Sequence, residues 1–152
     1  MPPAPDPFAQ ADTHDLVIRA EPASVRAALR RVTASPPVVD LATDLRSTVE
    51  IVLAEVLNNV AEHAYAELEG HVAVTVALHP GALWCEVVDE GAAMPGGSLP
   101  EGRLPQTDLA ETDLPEGGFG WHLIRSMTRD LEYRRRRGTN RLNFLIPLVE
   151  YP

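Results

Sequence analysis

The chain has no lysine; all 13 of its basic residues are arginine. That absence removes lysine Schiff-base chemistry. It also removes the Walker-A phosphate loop, whose Gly-Lys-Ser/Thr signature needs the ammonium group. A nucleotide site in this chain must therefore use another scheme. Cysteine is nearly as scarce, with Cys85 alone. One thiol excludes an intramolecular disulfide and a multi-cysteine metal site. No apolar run approaches the ~18 residues that a membrane span needs. The opening M-P-P-A-P-D-P-F-A-Q lacks the basic segment and apolar block of a secretion signal. The expectation is a cytoplasmic protein with no membrane attachment.

What is present is an ordinary globular composition: 152 residues, 45% hydrophobic and 23% charged. That is enough for one domain with a proper core and too little for two comfortable ones. The formal net charge is −9. Non-specific affinity for nucleic acid comes from neutralising phosphates, so an acidic domain is a poor candidate for direct nucleic-acid binding. A protein partner suits it better.

Residues 1–11 hold four prolines and read as a flexible tail, leaving 12–152 as the domain. Residues 15–19 form a short strand. Glu21-Pro22 opens a helix with a narrow apolar face of Val25, Ala28, Leu29 and Val32, and Ser35-Pro36-Pro37 ends it. A long helix over about 40–67 follows. Its apolar positions Val49, Val52, Leu53, Val56, Leu57, Val60 and Ala64 recur at helical spacing, and Gly70 stops it. Residues 71–78 and 83–88 alternate as strands around the turn His79-Pro80-Gly81. Residues 91–117 have no periodicity. Four prolines, and five acids against Arg103 alone, mark a long lid-like loop. A helix over about 119–129 offers Trp121, Leu123, Ile124 and Met127 to a core. A last hairpin joins 131–137 to 140–148 around Gly138-Thr139. The order βαα-ββ-loop-α-ββ predicts an α+β two-layer sandwich: a mixed, mainly antiparallel sheet with helices on one face.

Four short patterns carry candidate chemistry. Glu55, Asn59 and His63 stand four apart and stack on one helix stripe at the border of its apolar face. Val87-Val88-Asp89-Glu90-Gly91 is a buried-type strand ending in an aspartate and a glycine. Gly117-Gly118-Phe119-Gly120 opens a helix after the long loop. Gly138-Thr139 enters the last strand. Each alone has a plain structural reading: a solvated flank, a turn, a hinge, a hairpin.

In this order they resemble the nucleotide site of the GHKL ATPases, the histidine-kinase-like, Bergerat-fold superfamily. The closest resemblance is to its branch of anti-sigma-factor serine/threonine kinases. E-V-L-N-N-V-A-E-H-A-Y is similar to the first motif of that branch and D-E-G to the second. G-G-F-G-W-H-L-I-R-S-M-T-R-D-L-E-Y with G-T-N-R-L-N-F-L-I-P-L is similar to the third and its closing hairpin. The resemblance runs from about Glu21 to Leu148. It implies ATP and Mg²⁺ as cofactors, with Asn59 giving its side-chain oxygen to the metal and Glu55 acting as general base. It implies that Asp89 accepts a hydrogen bond from the adenine amino group and that Gly91 lets the backbone pass close to the base. Met94 would pack against adenine. Gly118 and Gly120 would offer backbone N–H groups to phosphate at a helix start, and Thr139 would complete the adenine pocket. The implied partners are a sigma factor or similar regulator, which is sequestered, and an anti-sigma-factor antagonist, which is phosphorylated on serine. A homodimer stays open, since relatives commonly dimerise.

Two departures keep an alternative alive, a non-catalytic ATP-binding or partner-sequestering module of the same fold. Ala93 replaces the usual second glycine of the middle motif. The loop is acidic where phosphate-facing lids often carry a basic residue; Arg103, Arg125 and Arg129 are the nearby cations. A histidine-kinase catalytic domain is the weakest reading, because the chain carries no phosphoacceptor helical hairpin. His63 has two readings, orienting Glu55 or capping the helix-sheet packing. Arg134 to Arg137 read either as a solvated strand edge or as a docking surface for an acidic partner.

Overall fold

The structure, a computed structural model, describes residues 13–65, 69–102 and 119–148. The expected tail, residues 103–117 of the expected loop, and Gly118 lie outside them. Five strands form one sheet: β1 (Thr13–Arg19), β2 (His71–His79), β3 (Ala82–Asp89), β4 (Arg129–Arg136) and β5 (Thr139–Pro147). Their order is β1-β2-β3-β5-β4. Every pairing is antiparallel, so the mainly antiparallel sheet expected from sequence is wholly so among the described residues.

The period-2 alternation decides which face is covered. Val72, Val74 and Val76 on β2, Leu83, Cys85 and Val87 on β3, and Leu142, Phe144 and Ile146 on β5 all belong to the buried core. Register lines them up, as in the row Val74–Val87–Leu142. Three helices supply the other half of this core: α1 (Pro22–Thr33), α2 (Thr43–Asn59) and α3 (Phe119–Met127). α1 begins with a proline in its first turn, as the sequence predicts, and buries Val25, Ala28, Leu29 and Val32. α2 lies between α1 and α3 and buries Val49, Val52, Leu53, Val56 and Leu57. Trp121 and Ile124 bring α3 into the same core. Cys85 is a fully buried packing residue whose thiol is held well above its ordinary pKa by desolvation. No helix among the described residues is long and apolar enough to cross a membrane.

Several boundaries differ from the sequence reading, and at two places the difference has a local cause. The long helix starts at Thr43, after a 3₁₀ turn at Val38–Asp40. Its α-helical turns end at Asn59, where a π-turn runs over Val60–Ala64. The wider turn aims the Ala64 carbonyl at the Ala92 N–H, 2.9 Å away. Tyr65 then folds back over Gly70, where any side chain would overlap its ring. The Tyr65 hydroxyl donates to the His71 carbonyl (3.0 Å) and accepts from the Glu90 N–H (2.7 Å). Burial is the main reason its pKa lies above the ordinary tyrosine value, so the donating proton stays on. At the other boundary, α3 ends at Met127 and β4 begins at Arg129, two residues before the expected start. A bulge between Arg129 and Glu132, with Asp130 at φ 53°, lets the strand leave the helix almost at once.

Candidate functional site

A cavity of about 570 Å³ lies between the end of α2, the sheet, the loop after β3, and α3. Small-molecule sites typically span roughly 300–1,000 Å³. Its walls are apolar: Val56 and Val60 from the helix, Val87 and Leu142 from the sheet, Met94 from the loop, and Trp121 from α3. Polar groups reach it from two places. The sheet supplies Asp89, Asn140 and Tyr133; the end of α2 and its π-turn supply Asn59, Glu62 and His63.

Asp89 closes β3 on the helix-covered face and is 6% exposed. Its Oδ1 accepts two hydrogen bonds, from the Gly91 N–H (2.9 Å) and from Asn140 Nδ2 (2.8 Å). The first is an Asx turn, which bends the chain out of the strand and into the loop. Asn140 is equally buried and sits opposite Asp89 in the β3–β5 register. Its Nδ2 also donates to the Ala92 carbonyl at 2.9 Å. Its Oδ1 accepts from Tyr133 Oη (2.6 Å) and from Arg135 Nη1 (2.8 Å). Arg135 Nη1 reaches the Gly91 carbonyl as well, at 2.9 Å, and Tyr133 Oη accepts the Met94 N–H at 3.1 Å. The start of the loop is thus hung from the β4–β5 hairpin at Gly91, Ala92 and Met94.

Each residue singled out in the sequence has a definite place. Asn59 and Met94 line the cavity with Asp89. Gly91 is buried beside it, and the neighbour that needs its missing side chain is Ala64: a Cβ at 91 would stand 2.5 Å from the Ala64 oxygen. Gly91→Ala is therefore expected to cost about 1–3 kcal/mol of stability through overpacking, measured as a lower urea midpoint at unchanged slope. Gly120 lies in the first turn of α3 with its bare face against Glu55, whose Oε2 a Cβ would strike. Glu55 is half-buried there and is not among the lining residues. Thr139 lies outside the lining too, on the opposite side of the pleat from its neighbour Asn140. Gly118 is beyond the described residues. His63 lines the cavity with its side chain 66% exposed, 3.9 Å from Glu62; the packing reading expected a more buried ring.

Asn140 and Tyr133 are not singled out in the sequence reading, and Arg135 enters it only as part of the Arg134 to Arg137 run. The available signal was parity. Register pairs Asn140 with both Asp89 and Arg135, and strand alternation puts Tyr133 on the same face as Arg135. The arginine run divides accordingly. Arg135 turns to the site, Arg134 pairs with Glu132 at 2.6 Å, and Arg137 sits in the hairpin turn at φ 51°.

The donor chemistry at Asn59 suits a hard cation. Its buried Nδ2 has no hydrogen-bond partner among the described residues; that nitrogen is a donor and calls for an acceptor such as a phosphate oxygen, while the carboxamide oxygen is the atom a cation would take. Glu55, one turn earlier, and Glu62 in the π-turn add carboxylates on the same part of the helix. Oxygen donors of this kind fit Mg²⁺. No group of three or more His, Cys, Asp or Glu side chains gathers among the described residues.

A helix-end carboxamide and a buried strand-end carboxylate thus line one largely apolar cavity of a helix-covered antiparallel α+β domain. The chain belongs to the histidine kinase-like ATPase domain family, whose model matches residues 18–146. ATP binding comes with that family. Among solved structures, the chain is similar to the RsbU and RsbW domains of a Mycobacterium tuberculosis protein. The identity is 14% and the TM-score 0.61, over 90% of this chain and 32% of that one. It is also similar to a blue-light activated histidine kinase from Erythrobacter litoralis, at 21% identity and a TM-score of 0.53, over 82% of this chain and 39% of that one. The chain spans well under half the length of either. At these identities the likeness shows the shared fold. No curated protein matches the chain.

Proposed function

We propose that this chain is an ATP-dependent serine/threonine protein kinase of the anti-sigma-factor type. It sequesters a sigma factor or similar regulator and phosphorylates an antagonist of that sequestration on serine. The observation that carries the reading is the pairing of Asp89 with Asn59 around one cavity, with Glu55 one helical turn before Asn59. The sequence resemblance to anti-sigma-factor kinases, and a fold shared with a structure containing an RsbW domain, support the choice of branch.

The residues divide the work. Asp89 reads the base through the carboxylate oxygen that its two protein donors leave free. Val56, Val60, Val87, Leu142 and Met94 exclude water around the ring. Asn59 would hold Mg²⁺ through its carboxamide oxygen; the metal, when bound, would supply charge neutralisation on the phosphates. Glu55 takes the proton of the attacking serine hydroxyl as its oxygen bonds to the γ-phosphorus. The bond from that phosphorus to the β,γ-bridging oxygen breaks, and ADP leaves.

One observation favours a second reading, a binding module without catalysis. Glu55 packs against Gly120 and is not part of the cavity lining. Saturation with ATP and Mg²⁺ separates the readings. At about 100 times Kd, a true binder gains roughly 2.7 kcal/mol of stability, seen as a rise in Tm. Pull-downs with and without ATP, followed by mass spectrometry, then identify the partner and any phosphoserine. No stabilisation by any nucleotide overturns the kinase reading and leaves only a module that sequesters a partner without nucleotide. Stabilisation without phosphoserine on any captured partner leaves the module.

A further inference from the structure

We propose that Asn140 is the residue that sets which base the cavity accepts, by fixing the orientation of Asp89, and that Arg135 and Tyr133 fix Asn140 in turn. This deepens the ATP-site reading above and rests on it.

The polarity of the network is determined at every link. Arginine has donors and no acceptor, so the oxygen of the Asn140 amide has to face Arg135 Nη1, 2.8 Å away. Tyr133 Oη already accepts the Met94 N–H, which leaves its own proton for the same Asn140 oxygen at 2.6 Å. The amide therefore cannot flip, and its NH₂ points at Asp89 Oδ1 and the Ala92 carbonyl. Asp89 Oδ1 in turn receives two N–H groups and is therefore the fixed, inward-turned acceptor end of the side chain. Both amide hydrogens of Asn140 and both lone pairs of its oxygen are then in use. Asn140 has nothing left for a ligand and is a positioning residue. Both hydrogen bonds to Asp89 fall on Oδ1, which leaves its second oxygen for a ligand in the cavity that Asp89 lines. A fixed acceptor selects a base with an exocyclic amino group and rejects one with a carbonyl oxygen there. The chemical contrast is that between adenine and hypoxanthine.

The purely structural alternative is that Asn140 only ties the loop to the hairpin. In that case its loss weakens all nucleotides alike. Titration of wild type, Asn140→Asp and Arg135→Met with the Mg²⁺ complexes of ATP and ITP distinguishes the two. The aspartate keeps the shape of Asn140 and can still accept from Tyr133 and Arg135, but when ionised it cannot donate to Asp89. At mildly alkaline pH its affinity for ATP is expected to fall roughly tenfold, the size of one lost charge-assisted hydrogen bond. Its affinity for ITP should change by less than about threefold, since ITP gains nothing from that acceptor. Arg135→Met leaves Asn140 and Asp89 in place on an exposed strand and is expected to fold in any case. It should lose part of the ATP-over-ITP preference. Equal weakening of ATP and ITP in both variants, or a wild-type ratio in Arg135→Met, overturns the proposal. Should wild type bind neither nucleotide, the ATP-site reading itself falls. A wild type that prefers ATP alongside variants with an unchanged ratio sinks this inference alone.

Discussion

Glu55→Gln is expected to bind ATP within about threefold of wild type and to lower serine phosphorylation by roughly 10²–10⁴-fold, the contribution of one positioned general base. Binding should survive because Glu55 is not among the residues lining the cavity. Glutamine is nearly isosteric, so the packing against Gly120 is also retained. The lost property is the ability to take a proton. The measurements are calorimetric titration with ATP and Mg²⁺, and the initial rate of phosphoserine formation on the captured partner. A variant that phosphorylates at the wild-type rate removes Glu55 from the mechanism. A variant that also loses ATP binding shows instead that the carboxylate organises the site. The half-buried position against α3 makes this the most informative substitution: the carboxylate has to reach the serine from the flank of the cavity.

The fold was legible because two periodicities dominate it. β2, β3 and β5 alternate so cleanly that their buried faces follow from sequence, and Val49 to Leu57 recur at helical spacing. The boundaries that went astray are those where local pattern runs on past a tertiary decision. Val60 to Ala64 still read as helix, yet the Ala92 N–H draws the Ala64 carbonyl into a wider turn. Arg129 and Asp130 carry no apolar signal for a strand, and β4 begins there because a bulge permits it.

The site was legible in part for a related reason. Asp89 and Asn59 can be picked out as chemical types at characteristic positions on a strand end and a helix. Asn140 could not, because its importance lies in a pairing across 51 residues of sequence and in a one-residue choice of pleat. Strand parity gives the buried side to Asn140 and turns Thr139 away. The same parity turns Arg135 inward out of a run of four arginines that composition alone makes equivalent. A side chain whose role is to hold another side chain leaves no mark in local sequence.

Asp89→Asn is expected to reverse the base preference and to lower ATP affinity by at least roughly 10²-fold, since one strong hydrogen bond is lost and a donor is set against a donor. The reasoning depends on which way the new amide must lie. The Gly91 N–H and Asn140 Nδ2 both donate to the present Oδ1, at 2.9 and 2.8 Å. An asparagine has one oxygen to satisfy them. Turning its NH₂ toward them would set donors against donors in a buried place. The oxygen therefore takes the Oδ1 position, and the NH₂ takes that of the free carboxylate oxygen, facing the ligand. Adenine then meets a donor with its own amino group. Hypoxanthine meets it with a carbonyl oxygen and gains a hydrogen bond. Because the protein's internal bonds are conserved, Tm without nucleotide should shift little, corresponding to about 1 kcal/mol or less. Paired titrations with ATP and ITP, alongside thermal unfolding, read both effects. A variant that still prefers ATP over ITP shows that another group reads the base. A variant that loses both nucleotides and much of its stability shows that the negative charge of Asp89, rather than its pattern of acceptors, holds the site together.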